Sequence, residues 1–154
     1  MQISGQRFMP AHPDEVWNAL HDVETLRDTL PGCKELNQTS HDTYTGTASI
    51  GIAVIKGLYR GSVRVLEENE ASFLRVAVEA ESGHAEIEGE GDLTFEPSNG
   101  GTLLRYTGDA RIRGRLAALG QRLLPSASKS LTEQFFKNLE RHLVEASQAT
   151  ERGG

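Results

Sequence analysis

The chain of 154 residues has a single cysteine, no long apolar run and no secretion signal. One cysteine, Cys33, cannot form a disulfide within the chain. The longest uncharged apolar stretches fall far short of the ~20 residues that a membrane-spanning helix requires. The N-terminal segment lacks a basic region followed by an apolar core, which a secretory signal would have. These absences predict a soluble protein of a reducing, cytoplasmic compartment.

Motifs that mark common enzyme and cofactor sites are also missing. The sequence contains no GxGxxG, Walker, HExxH, CxxC or GxSxG motif. The five histidines are scattered, and no two of them have the spacing of metal ligands. We therefore expect no metal site and no intrinsic cofactor.

Acidic and basic residues are distributed unevenly around a net charge of −6. A negative balance argues against a surface that binds nucleic acid. Residues 67–96 contain ten acids and one base, and a solvated sheet face is favoured there over an acidic docking surface. Residues 110–132 contain no acid and five bases: Arg111, Arg113, Arg115, Arg122 and Lys129. The first four of these bases are candidates for peripheral contact with a membrane.

The N-terminal segment predicts one strand followed by two short helices. Residues 2–9 alternate modestly and form the expected strand. Pro13, followed by two acids, has the position of a first helical residue, and Asp22 is the expected cap of the second helix. Pro31 ends that helix, because the residue before a proline disfavours helical geometry.

Residues 34–113 alternate with a period of two, which predicts about six further strands in an antiparallel meander. The clearest alternation is in residues 85–96, where acids and threonine face outward. Several predicted inward positions carry small residues: Gly46, Ala48, Gly89, Gly91 and Ala110. Such positions either let a helix approach the sheet closely or leave a cavity.

The C-terminal part of the chain predicts one long amphipathic helix, to about residue 146. Apolar residues three or four apart form its stripe: Leu116, Leu119, Leu123, Ala127, Leu131, Phe135, Leu139 and Leu143. Pro125 predicts a kink or a break, and a hinge that admits a ligand. We expect residues 1–146 to form a single domain and residues 147–154 a disordered tail.

Short motifs along nearly the whole chain carry a family resemblance. They are Ile3-Ser4-Gly5, Val16-Trp17, the loop Leu30-Pro31-Gly32-Cys33, the hairpin Lys56-Gly57, Leu116-Ala117 with Leu119-Gly120, and Gln134-Phe135-Phe136. In this order they resemble the START-like (SRPBCC) helix-grip superfamily and, within it, the bacterial CoxG-like family, named for the G subunit of carbon monoxide dehydrogenase. The resemblance implies an α+β helix-grip fold, in which a curved antiparallel sheet of about seven strands wraps around a long C-terminal helix.

The resemblance also implies a function. Members of the superfamily bind apolar molecules between sheet and helix, so we expect a quinone or lipid as the ligand. CoxG-like proteins resemble accessory or membrane-adaptor factors of a molybdenum hydroxylase such as carbon monoxide dehydrogenase, located at the inner face of the membrane. The alternatives are a small cyclase or hydrolase using the same cavity, and a protein-interaction module with a filled core.

Candidate cavity residues are apolar or aromatic positions on the inward faces. They are Leu26, Leu30, Ile50, Ile52, Tyr59, Val63, Val76, Ile87, Tyr106, Leu119, Leu123 and Phe135. Tyr59 and Tyr106 are expected to hydrogen-bond a ligand oxygen, because a buried phenol needs a partner. The loop Pro31, Gly32 and Cys33 is expected at the cavity mouth, with Cys33 as a small packing residue rather than a reactive thiol.

Catalysis requires a general acid-base pair that reaches into the cavity. His84 can be paired with Glu86, but strand alternation places both on the solvated face. Asp109 can be paired with Tyr106, but three residues along a strand place them on opposite faces. We therefore expect no catalytic residues and favour a binding function.

Overall fold

One antiparallel sheet of seven strands curves around the C-terminal helix in the computed structural model, which describes residues 1–83 and 85–153. The strands are β1 (Gln2–Met9), β2 (Cys33–Ser40), β3 (Thr43–Ile50), β4 (Gly57–Asn69), β5 (Phe73–Ser82), β6 (Ala85–Ser98) and β7 (Gly101–Gly114). They lie in the order β1-β7-β6-β5-β4-β3-β2, so β1 pairs with the last strand of the meander. The predicted α+β helix-grip fold is confirmed.

Three α-helices and two short 3-10 helices complete the described residues. They are α1 (Pro13–Leu20), α2 (Val23–Thr29), η1 (Ala53–Ile55), η2 (Arg115–Leu119) and α3 (Gly120–Gly153). Asp22 caps α2 as predicted, since its carboxylate accepts a hydrogen bond of 3.2 Å from the backbone N–H of Thr25. Helix α2 ends at Thr29, and its C-cap Leu30, the residue before Pro31, has an extended backbone.

Helix α3 differs from the prediction near its start. Pro125 is its sixth residue and does not break it. Pro125 has no N–H to donate to the carbonyl of residue 121, so the helix lacks that one hydrogen bond. The helix continues through residue 153, and the disordered tail expected at residues 147–154 stays a prediction. No proline or glycine occurs in residues 126–152 to end it earlier.

The buried core divides into two clusters. The first cluster joins the N-terminal helices, the ends of the central strands and the second half of α3, with Trp17, Phe95, Leu104, Phe136 and Leu139 among its members. The second cluster joins η1, η2 and the start of α3, and its buried members are Ile55, Tyr59, Ala85, Leu116, Leu124 and Ala127. The long helix therefore spans both clusters.

The sheet between the two clusters has small side chains on its inner face. Gly89 lies opposite Ala110, and Gly91 lies opposite Gly108, on strands β6 and β7. Val78 on β5 pairs with Gly89 on β6. Its side chain is 36% exposed although it lies on the face of the sheet that points toward α3. The middle of the inner face is therefore less filled than either end.

Polar contacts hold the helix pair α1–α2 to the rest of the fold. The His21 side chain lies 2.7 Å from the carbonyl oxygen of Trp17 and 2.6 Å from a carboxylate oxygen of Glu68 on β4. On the other side of the pair, the Asn138 amide of α3 donates to the carbonyl of Thr29 at 3.1 Å. These contacts fix the helices that close the end of the sheet beside the first cluster.

Candidate ligand pocket between the sheet and the C-terminal helix

An open pocket of about 420 Å³ lies between the end of β7 and the start of α3. Its lining residues are Met1, Gln2, Ala110, Ile112, Ala117, Gly120, Leu124 and Pro125. Gln2 is the only one of these with a polar side chain. Pockets that bind small molecules are typically about 300–1,000 Å³, so the size suits a small ligand. The side chains are mostly apolar, but polar atoms, chiefly of the backbone, contribute nearly as much of the pocket surface as apolar atoms do.

The turn from β7 into α3 builds this pocket. Ala110 and Ile112 alternate onto the inner face of β7. Gly114 (φ +90°) and Gly120 (φ +61°) then hold backbone conformations that side chains disfavour, and they bracket η2. These two glycines turn the chain so that α3 returns over the inner face of the sheet. Small residues such as Ala117 leave the corner between them open.

Met1 crosses the pocket edge from the sheet to the helix. Its backbone nitrogen donates to the carbonyl of Ala110 at 2.8 Å. At its other end, the sulfur accepts a hydrogen bond of 3.6 Å from the hydroxyl of Ser128 on α3. Met1 therefore connects the two elements that enclose the pocket.

The twelve predicted cavity residues are described, and none of them lines this pocket. Leu26, Val76, Tyr106 and Phe135 are half-buried against the first cluster. Tyr59 is buried in the second cluster, and Ile50, Ile52, Ile87 and Leu119 are half-buried against it. Leu30 and Val63 are half-buried elsewhere. Their contact with a ligand stays a prediction.

Leu123 departs from its expected position, since it is 42% exposed while Leu124 is buried. The predicted helical stripe runs through residues 116–123 with a single period. The structure instead changes from the 3-10 helix η2 to the α-helix α3 at Gly120, and this change shifts the buried face by one residue. Pro125, expected to mark a ligand hinge, lies inside α3 and lines the pocket.

The two tyrosines expected to contact a ligand differ in their surroundings. The Tyr59 hydroxyl donates to the carbonyl of Ile55 at 2.6 Å, so its hydrogen is engaged within the second cluster. Burial also raises the pKa of Tyr59. The Tyr106 hydroxyl lies against the backbone of Gly5 on β1, where a larger residue would collide with it. The Tyr59 hydroxyl therefore has no hydrogen left to donate to a ligand.

The loop of Pro31, Gly32 and Cys33 is anchored to the sheet. Gly32 has φ +66°, and its carbonyl accepts a hydrogen bond of 2.8 Å from the N–H of Ser49 on β3. Cys33 is half-buried, and this burial raises the pKa of its thiol and disfavours the reactive thiolate. A place for this loop at a cavity mouth stays a prediction.

The acidic and basic segments meet on the outer face of the sheet. In the β6–β7 register, Glu86 lies opposite Arg113 and Glu88 lies opposite Arg111. The Arg113 guanidinium is 3.8 Å from the Glu88 carboxylate. Two of the four predicted membrane-contacting arginines thus stand beside carboxylates, while Arg115 and Arg122 are exposed elsewhere.

The described residues bring together no catalytic pair among those considered. His84 lies outside the described residues, and Glu86 is exposed. Asp109 is exposed. It lies three residues from Tyr106 along β7, so the two side chains occupy opposite faces of the strand. In the described ranges, no three His, Cys, Asp or Glu side chains are grouped so that they can hold a metal ion.

The sequence matches a known protein family. Residues 5–144 match the family model of CoxG, described as the G subunit of carbon monoxide dehydrogenase. The chain belongs to the CoxG family. Membership associates this CoxG protein with carbon monoxide dehydrogenase. A search of curated proteins gives no significant match.

Solved structures share the fold of this CoxG protein. A conserved protein from Geobacillus kaustophilus is 30% identical with a TM-score of 0.91, over 95% of this chain and 97% of that one. Two further likenesses show the fold alone. A Chromobacterium violaceum protein has 16% identity and a TM-score of 0.74, over 92% of this chain and 96% of that one. A Thermus thermophilus protein has 20% identity and a TM-score of 0.72, over 96% of this chain and 99% of that one.

Among the described residues, no helix has both the length and the apolar character needed to cross a bilayer.

Proposed function

We propose that this CoxG protein binds an apolar small molecule, a quinone or a lipid, between its sheet and its C-terminal helix. In this proposal it does not catalyse a reaction. It serves carbon monoxide dehydrogenase, a molybdenum hydroxylase, as an accessory factor at the inner face of the membrane. The observation that supports a bound ligand is the open pocket of about 420 Å³ between β7, η2 and α3.

Apolar burial supplies the affinity in this proposal. A ligand that loses about 200 Å² of apolar surface to the pocket gains about 5 kcal/mol at about 25 cal/mol per Å², before the entropic costs of binding. A quinone tail or acyl chain can extend toward the small residues Gly89, Gly91 and Gly108, where the inner face is least filled.

The ligand is tested by what the purified protein carries. Organic extraction followed by mass spectrometry is expected to release a quinone or lipid, and native mass spectrometry is expected to show one bound molecule per chain. Protein that carries no such molecule, and that binds none when quinone or lipid is supplied, contradicts the proposal. Turnover of an added ester would instead favour the alternative of a small cyclase or hydrolase.

The partner is tested separately. A tagged protein is expected to retain carbon monoxide dehydrogenase from a lysate in which both are expressed, and the enzyme's electron transfer to added quinone is expected to rise when the protein is present. An enzyme that neither binds this protein nor responds to it contradicts the accessory role and leaves the ligand proposal standing.

A further inference from the structure

The two edges of the sheet are protected to different degrees. Strand β2 forms one edge and β1 forms the other. An edge strand exposes unpaired N–H and C=O groups, and proteins commonly blunt it with bulges, lysines or a covering element. Edge β2 has such features: two irregularities in its register, the exposed Lys34, and the Arg27 guanidinium of α2, which donates to the carbonyl of Leu36 at 2.7 Å. This edge therefore offers little to a further strand.

Strand β1 lacks these protections among the described residues. It pairs with β7 over eight consecutive residues without an irregularity. Residues 2–9 contain no lysine and no proline. The one charged residue of the strand, Arg7, lies 3.8 Å from Glu140 of α3, so its charge is engaged by the helix. Strand β1 is therefore the open edge of the sheet.

The direction of the free backbone groups on β1 follows from one residue pair. Met1 and Ala110 exchange two backbone hydrogen bonds of 2.8 Å, so they form a hydrogen-bonded pair of the β1–β7 ladder. Such pairs alternate along antiparallel strands, so the odd residues of β1 bond to β7 and the even residues direct their N–H and C=O groups away from it. All four even residues are exposed: Gln2, Ser4, Gln6 and Phe8.

A second copy of the chain does not fit this edge. Helix α3 follows β1 along its length, since Ser128 contacts Met1 at one end and Glu140 contacts Arg7 at the other. Two β1 strands paired in one sheet would lie about 4.8 Å apart, each with its own α3 on the same face. Packed helix axes need about 8–10 Å, so the two helices would collide. The edge therefore suits a single extended segment.

We propose that this protein docks on carbon monoxide dehydrogenase through β1, and that an extended segment of the enzyme adds to β1 as a further strand of the sheet. The identity of the partner rests on the proposed accessory role, whereas the open edge does not. In this mode, main-chain hydrogen bonds supply the affinity and neighbouring side chains supply the specificity. Phe8 is 43% exposed and lies opposite Leu103 of β7, so the segment is expected to place a large apolar side chain beside Phe8.

The edge is tested by amide hydrogen exchange, read by NMR after exchange in the free protein or in its complex with the purified enzyme. In the free protein, the amides of Ser4 and Gln6 are expected to exchange at least about tenfold faster than those of Gly5 and Arg7, which are bonded to β7. Binding of the enzyme is expected to slow exchange at Ser4 and Gln6 by at least about tenfold. The amide of Gln38, on the β2 edge, is the internal control and is expected to keep its rate.

Proline substitution tests the hydrogen bonds themselves. An edge strand tolerates proline where the lost N–H faces solvent. Gln6→Pro removes an outward N–H from β1, and the matched control Gln38→Pro removes one from β2, because residue 38 alternates in step with Leu36, whose carbonyl bonds Arg27. Gln6→Pro is expected to weaken enzyme binding by at least about tenfold, and Gln38→Pro by less than about threefold. Circular dichroism checks that both variants fold; if Gln6→Pro does not, the exchange measurement on the parent protein decides.

The outcomes separate this proposal from the proposed function. Equal enzyme affinity for the two folded proline variants, or exchange at Ser4 and Gln6 that the enzyme does not change, would overturn docking through β1 and leave the accessory role standing. An enzyme that does not bind the parent protein contradicts the accessory role, and docking through β1 with it. Slow exchange at Ser4 and Gln6 that depends on the concentration of the free protein would assign the edge to a second copy and overturn the choice of partner. Because Gln6 does not line the pocket, Gln6→Pro is expected to leave quinone binding unchanged.

Discussion

Filling the pocket with a large side chain is the most informative perturbation of the proposed ligand site. Ala117 is exposed on η2 and lines the pocket, so a tryptophan there can enter the open volume without disturbing either core cluster. Its neighbour Ala118 is also exposed on η2 but does not line the pocket. Ala118→Trp is therefore a matched control for the added bulk, hydrophobicity and absorbance.

The expected size of the effect follows from area. A tryptophan side chain covers about 150 Å² of apolar surface. If the ligand loses that contact at about 25 cal/mol per Å², binding weakens by at most about 4 kcal/mol, or about a thousandfold. Because the ligand can shift within an open pocket, we expect a loss of at least about tenfold for Ala117→Trp and less than about threefold for Ala118→Trp.

Isothermal titration with a short-chain quinone measures this difference, and circular dichroism checks that both variants melt with the parent. Equal quinone affinity for Ala117→Trp and Ala118→Trp, with both proteins folded, would refute the placement of the ligand between β7 and α3. Loss of binding by both variants would point instead to a site that depends on η2 as a whole.

Three further predictions concern the scaffold. Leu139→Ala, at a fully buried position, is expected to lower the free energy of unfolding measured in urea by about 2–5 kcal/mol. Leu123→Ala, at an exposed position, is expected to change it by no more than about 0.5 kcal/mol. Similar losses for the two variants would contradict the assignment of which leucines of α3 face the core. Asp22→Ala removes the cap of α2 and is expected to cost about 1 kcal/mol at neutral pH. The hydrogen bond from the Thr25 hydroxyl holds the pKa of Asp22 below its usual value. The stabilisation is therefore present above pH of about 4 and is lost as the pH falls through the lowered pKa. Urea midpoints of the parent and of Asp22→Ala that differ equally at neutral and acid pH would contradict this origin. Gly32→Ala combines a positive φ with a collision against a backbone carbonyl of β3, so we expect a loss of more than about 1 kcal/mol, and an unchanged melting temperature would argue against the turn.

The fold follows from patterns that are local in the sequence. Alternation with a period of two predicts the strands, and Pro13, Asp22 and Pro31 mark the two short helices where the structure has them. These signals depend on a few neighbouring residues, so they are visible without knowledge of tertiary contacts. The family resemblance adds the order in which the sheet and the long helix combine.

The pocket depends on contacts that no local pattern contains. Met1, Ala110 and Leu124 are far apart in the chain and meet only because β1 pairs with β7 and α3 returns over both. Part of the signal is present in the sequence, since alternation predicts Ala110 as a small inward residue and Pro125 interrupts the helical pattern. The change from 3-10 to α-helix at Gly120 has no such signal, and it determines which leucine faces inward.

The charge pattern shows the same limit. Along the sequence the acidic residues 67–96 and the basic residues 110–132 suggest two separate faces. The register of β6 and β7 places Glu88 beside Arg111, so parts of both segments neutralise each other on one face. Cross-strand register is a tertiary property, and it leaves the unpaired bases at the end of the molecule where η1 and η2 lie.

The central claim, a quinone or lipid held between the sheet and α3, is tested most directly by methyl NMR of the protein during titration with a short-chain quinone. The account predicts saturable shifts at the methyl groups of Ala110, Ile112 and Leu124, with much smaller shifts at Leu104 and Leu139 in the first cluster. Absence of saturable shifts, or shifts confined to the first cluster, would contradict it.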